Sequence, residues 1–317
     1  MKRIIPALCL FIFSCSKHNS TPSATVDKWT SVQGGFVGAQ LARPTGFNIG
    51  GALFIGMGVG ATGAPSGSFY QYDPINYWSQ IPSMPLVAPG NYSVGFSIGS
   101  VGYVVMTPDT FGNVGTLYAY EPSQLTWISR SIYPGTPVQG AVAFVINGKA
   151  YVGLGSRGGL SYNQLWQYDP LFNIWTQKAN YPDVHTSYPA SFVVGNYAYV
   201  GTGASGVETS DVTADFYRYD PSTDTWTQKA NFPGGARFQA AGFSEGNYGY
   251  IGTGSNSLGK DQADFWQYDP AADSWTKKSD FPGGARAGAL TFSGGSAFLG
   301  FGSGGSGPFT DLWLYQQ

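Results

Sequence analysis

FTDLWLYQQ, residues 309–317, is the last of six related stretches in this chain, and it alone stops short. The other five run through a turn into a segment that carries a tryptophan. They read FYQYDPINYWSQ (69–80), LYAYEPSQLTWIS (117–129), LWQYDPLFNIWTQ (165–177), FYRYDPSTDTWTQ (216–228) and DFWQYDPAADSWTK (264–277). The tryptophans fall at 78, 127, 175, 226 and 275, so one step back of about 49 residues lands on Trp29 in VDKWTSV, residues 26–32. No aromatic-Tyr-Asp strand precedes Trp29. The N-terminal segment is therefore expected to supply the fourth strand that the last copy lacks, joining the two ends of the chain by strand pairing.

Three markers share this period: the tyrosines at 72, 120, 168, 219, 268 and 315, the tryptophans, and short runs such as AYVGLG, AYVGTG and GYIGTG. A repeat near 50 residues with alternating aromatic strands and Gly, Pro, Asn and Asp between them reads as four strands per unit. In the fifth copy these are Phe238 to Ser244, YGYIGTG, DFWQYD and SWTK. Proline after aspartate fixes φ and starts the turn, so YDP needs no functional explanation. Composition agrees: 46 glycines, 20 prolines, 16% aromatic and 11% charged residues in 317 suit a turn-rich all-β protein. Closing a ring of such units also removes the open sheet edges that invite aggregation.

The unit resembles the kelch repeat: a small inner strand, a glycine-rich end to the second strand, an aromatic-x-Tyr-Asp third strand and a later tryptophan. It departs from it in ending the second strand with Gly-x-Gly, and with VVMT in the second copy. The fold class expected is all-β, a six-bladed kelch-type β-propeller over residues 26–317, closed by the N-terminal strand joining the last blade.

Residues 1–14 have the layout of an export signal: Lys2 and Arg3, the apolar run IIPALCLFIF, then small polar residues. Ile12-Phe13-Ser14-Cys15 resembles the lipobox of bacterial lipoproteins, which implies lipidation at Cys15, a tether over 15–25 and an anchor in the outer membrane. An ordinary cleaved signal is the alternative. With Cys9 in the signal and Cys15 acylated, the mature chain would hold no free thiol.

The kelch resemblance places the loops joining fourth to first strands, and second to third, on one face, where ligands commonly sit at the channel mouth. There NFPGGAR and DFPGGAR carry Arg237 and Arg286, which lie 15 and 14 residues before the second-strand glycines Gly252 and Gly300. Arg43 lies 13 before Gly56. In the other copies the place falls near Asn91, Gln139 and Thr186. Three neighbouring arginines would make a cationic arc suited to a carboxylate, which guanidinium binds bidentately. The alternative is that each arginine bridges blades through backbone carbonyls. His185 and Tyr188, in YPDVHTSYPA, complete the candidate ligand-binding set with Arg43, Arg237 and Arg286. Asp215, Asp264 and Asp311 recur by repeat position, which points to strand-edge hydrogen bonding.

Several classes fall away. A net charge of −2 without a basic block argues against nucleic acid. Kelch-type copper oxidases need a Tyr–Cys crosslink and two histidines, which this core lacks. No Ser-His pair is indicated by a GxSxG elbow, and no P-loop or EF-hand spacing occurs, so no catalytic residue, cofactor or metal is expected. The function expected is a monomeric, non-catalytic binding module at the cell envelope, recognising a glycan or protein partner. The alternative is a sugar epimerase or mutarotase of the kelch-propeller type.

Overall fold

The computed structural model describes residues 27–39, 43–58, 66–85, 92–107, 115–136, 138–206 and 208–317. The signal-like segment, Cys15 and the tether lie outside the described residues, as does Asn91. Six four-stranded antiparallel sheets form the blades of a β-propeller. Blades 1 to 5 are consecutive in sequence. Blade 1 comprises Thr45–Ile49, Ala52–Gly56, Phe69–Asp73 and Tyr77–Ile81, and blade 2 comprises Tyr92–Ile98, Val101–Thr107, Gly115–Glu121 and Thr126–Tyr133. Blade 3 runs from Val142 to Lys178, blade 4 from Ala190 to Gln228 and blade 5 from Ala241 to Lys278.

Blade 6 is discontinuous. Leu290–Phe292, Ala297–Gly300 and Leu312–Gln316 are joined at the outer edge by Lys28–Ser31 from the other end of the chain. Trp29 stands opposite Tyr315, in the register that Trp226 holds to Tyr219 and Trp275 to Tyr268. The imitation extends to side chains. Tyr219 donates its hydroxyl proton to Asp224 at 2.6 Å and Tyr268 to Asp273 at 2.6 Å, each acceptor lying two residues before the tryptophan. Tyr315 donates to Asp27 at 2.8 Å, and Asp27 likewise lies two residues before its tryptophan, Trp29. The expected closure is therefore the observed one.

Strand position explains residue choice. Second strands are sandwiched between neighbouring blades, so they are apolar on both faces rather than alternating. Leu53, Val104, Val152, Val200, Ile251 and Leu299 are all buried in this way. Fourth strands face solvent and alternate. The core is a set of layers between blades. In blades 1 to 5 a first-strand phenylalanine stacks on the aromatic directly opposite in the second strand, with centroids 5.1–5.3 Å apart. Such offset pairs add about 0.5–1.5 kcal/mol each beyond their burial. The phenylalanine then inserts into the next blade: a Cβ on Gly249 would stand 1.9 Å from the Phe192 ring, so only glycine fits there.

Turns joining first to second and third to fourth strands lie at one end of each sheet. Loops joining second to third strands, and each blade to the next, lie at the other. Short hairpins rise from that second end in blades 3, 4 and 6.

Candidate functional site

The inner strands enclose an axial channel of about 530 Å³. Its wall is built of small residues because inner strands of adjacent blades approach closely: a Cβ on Gly242 would meet the Ser191 carbonyl oxygen at 2.7 Å. Ala143, Ser191, Gly242 and Thr291 line the middle of the channel, and Asn48, Ser97, Ser244 and Ser293 line its far end.

Among the described residues, the loop-side mouth is framed in five of the six blades by one residue, two positions before the inner strand. These are Arg43, Gly140, Tyr188, Gln239 and Gly288, all with left-handed backbones at φ between 50 and 70°. The five positions form a hoop, four of them linked by backbone hydrogen bonds. The Tyr188 amide donates to Gly140, Gln239 to Tyr188 and Gly288 to Gln239, each at 2.9 Å. Glycine suits this conformation, whereas another residue is strained by about 1 kcal/mol. Blades 3 and 6 use glycine; blades 1, 4 and 5 accept the strain and present a guanidinium, a phenol and an amide. Among the described residues lining the channel, Arg43 and Tyr188 are the titratable ones.

The other two arginines are placed elsewhere. Arg237 and Arg286 are 1% and 0% exposed and neither lines the channel. Arg237 grips Asp264 bidentately at 2.6 and 3.0 Å, donates to the Thr253 carbonyl at 2.9 Å and to Gly234, and lies over the Phe232 ring. Arg286 repeats this on Asp311 at 2.6 and 2.9 Å, on the carbonyls of Phe301 and Gly283, and on the rings of Phe281 and Phe309. The Arg237 carbonyl meanwhile accepts from Gly203 of blade 4, and that of Arg286 from Gly254 of blade 5. Each arginine thus fastens its own blade to the one before. The three-arginine arc expected from sequence is corrected to a single arginine at the mouth. The error was a slip of two residues: thirteen before the second-strand glycine, the place of Arg43, stand Gln239 and, in blade 4, Tyr188.

His185 also stands off the channel wall. Its Nδ1 lies 2.8 Å from Asp183 and its Nε2 3.1 Å from Asp211, so it ties the loop between blades 3 and 4 to the blade 4 hairpin. Two carboxylate partners require both ring nitrogens to donate. Burial works against the charged imidazole, but the hydrogen bonds to Asp183 and Asp211 outweigh it and raise the pKa above 6.5. A raised folded-state pKa stabilises fully below the unfolded value and is lost as pH rises through the folded one. The melting midpoint is therefore expected to fall as pH rises above about 6.5, and this slope should vanish in His185→Gln; an identical slope in the variant would place its origin elsewhere.

Gln239 is the mouth residue that sequence reasoning missed. Its signal was available as a constant distance of 13 residues to the second-strand glycine, shared by Arg43, Gly140, Tyr188 and Gln239.

No known sequence family matches the chain, and no curated protein matches it. Among solved structures 634 chains match, so the architecture is common and does not by itself select a function. One, the structure of YjhT, superposes with a TM-score of 0.76 at 15% identity, over 90% of this chain and 100% of that one. At this identity the likeness shows the propeller fold alone.

Proposed function

We propose that this chain is a non-catalytic binding module of the bacterial cell envelope, of kelch-repeat type, lipid-anchored through Cys15, that takes a glycan at the mouth of its channel. The observation that carries the reading is the hoop. Three of its positions keep Arg43, Tyr188 and Gln239 where glycine would be less strained, and strain retained at a concave site points to use of the side chains. An aromatic ring offers a stacking face to a sugar, an amide offers one donor and one acceptor group to hydroxyls, and a guanidinium receives a carboxylate or ring oxygens. The glycine of blade 3 leaves room for the Tyr188 ring, whose Cγ a Cβ on Gly140 would meet at 2.8 Å.

Epimerisation or mutarotation needs a positioned acid and base. The channel offers no carboxylate or imidazole among the described residues that line it, and Arg237, Arg286 and His185 are committed to structural partners. Binding is the better supported reading. The test is an NMR titration with neutral and acidic mono- and disaccharides, following both ligand broadening and anomer exchange. Saturable broadening without accelerated exchange is expected, weakened about tenfold or more by Arg43→Met for acidic sugars. Catalysed exchange would replace the binding reading with the enzymatic one.

A further inference from the structure

The turn end of the propeller, opposite the mouth, is uneven. Third-to-fourth strand turns of blades 4 and 5 are tipped with Ser222, Thr223 and Asp224, and with Ala271, Ala272 and Asp273. The equivalent turns of blades 1 to 3 present Ile75, Tyr77, Leu125, Leu171, Phe172 and Ile174 to solvent, with Ile75 84%, Leu171 81% and Phe172 66% exposed.

Two features show that this arc is kept against the interest of the fold. Tyr77, paired with Asp73 in the shorter turn of blade 1, has φ 60°, and Leu125 has φ 51° at the turn position where blades 3 to 5 use Asn173, Asp224 and Asp273, residue types that tolerate the left-handed region. Those residues also accept the hydroxyl proton of the third-strand tyrosine. Leucine cannot, and the Tyr120 hydroxyl is buried without a partner. The second feature is where the chain enters. Asp27 substitutes for the turn residue of blade 6, so the preceding residues 1–26, with the apolar run Ile4 to Phe13 and Cys15, join the propeller at this same end. Blade 6 packs against blade 1, which makes the entry point and the apolar tips one continuous arc over blades 6, 1, 2 and 3.

We propose that this arc seats on a lipid bilayer, with the tips of blades 1 to 3 in the interfacial region beside the N-terminal anchor, so that the channel mouth faces away from the membrane. Two nearby charge pairs are neutralised, Arg130 with Glu121 at 3.2 Å and Lys149 with Asp169 at 2.9 Å, and the Asp73 carboxylate of the blade 1 turn accepts from the Ile75 and Asn76 amides. The contact is therefore apolar and little affected by salt. The proposal rests on the lipid anchor at Cys15 proposed above and is independent of what the mouth binds.

The test is hydrogen exchange on the full-length chain in phosphatidylcholine nanodiscs, comparing it with the variant Ile75→Ser, Leu125→Asn, Leu171→Ser, Phe172→Thr. Amides of 74–77, 122–125 and 170–174 should exchange about fivefold or more slower in the parent than in the variant. Turns 221–224 and 270–273 should match in both. The Leu125→Asn change relieves the backbone and gives Tyr120 an acceptor, so it should not lower the melting midpoint. Leu171→Ser with Phe172→Thr alone serves if the fourfold variant does not fold. Equal exchange in parent and variant overturns the proposal. So does slowing that persists without lipid in a species of twice the mass, since a second copy would then cover the arc, and so does slowing at the mouth loops instead.

Discussion

Trp29→Ala is expected to destabilise the propeller by about 3 kcal/mol, toward the low end of the range for removing a large aromatic from a packed layer because Trp29 is only half-buried. Its ring meets Tyr315 and Phe281 with centroids 4.9 Å apart and Phe265 at 5.1 Å. In blade 4 the same position is held by Trp226, against Tyr219 at 4.9 Å and Tyr181 at 5.1 Å. The two substitutions remove similar packing, yet they differ in consequence. Trp226 sits on a strand tied by a short turn to its neighbour. Trp29 sits on a strand held to Leu312–Gln316 by noncovalent contacts with no connecting turn, so loosening it opens the ring between its two ends. Hydrogen exchange of the Leu312–Gln316 amides should accelerate more in Trp29→Ala than exchange of the Phe216–Asp220 amides does in Trp226→Ala. Equal local acceleration in the two variants would mean that the chain ends do not form the weak seam.

Arg286→Ala should cost a similar amount, about 3 kcal/mol, by another mechanism. The loss removes no large apolar volume. It leaves the Asp311 carboxylate without its bidentate partner and deprives the Phe301 and Gly283 carbonyls of a donor. Breaking a buried ion pair costs roughly 3–5 kcal/mol, and water reaching a third of the Asp311 side chain sets the low end. Arg286→Lys keeps the charge but cannot fork, so it should fall between the alanine variant and the parent. Calorimetry should show a midpoint drop of roughly 6–10 °C for alanine. A drop below about 2 °C would show that the pair merely offsets its own desolvation. Saccharide binding should survive in Arg286→Lys, because Arg286 stands off the channel wall.

The closure of the ring was legible because it depends on spacing. A tryptophan every 48 to 51 residues points back to Trp29 whatever the loops do between. The arginines were legible as a repeat but not as partners. Arg237 and Asp264 are 27 residues apart, and Arg286 and Asp311 are 25 apart. The recurrence of aspartate in blade 4 without an arginine hid the pairing, since Asp215 there accepts from Asn231. The hoop was the least legible feature. Left-handed backbone at Tyr188 and Gln239 is held by hydrogen bonds between blades, against the preference of those residue types, so local sequence gives no sign of it. Gln239 is masked in the sequence by its conspicuous neighbour Arg237.

On the proposed function, Arg43, Tyr188 and Gln239 are held at the mouth for binding and not for stability. Replacing Tyr188 and Gln239 by glycine, as blades 3 and 6 already have, separates the two directly. Relief of backbone strain should offset the packing lost, leaving the melting midpoint within roughly 3 °C of the parent, while affinity for the best saccharide of the panel falls about tenfold or more. A double variant that melts much lower yet binds sugar as the parent does would make the hoop side chains structural and remove the site.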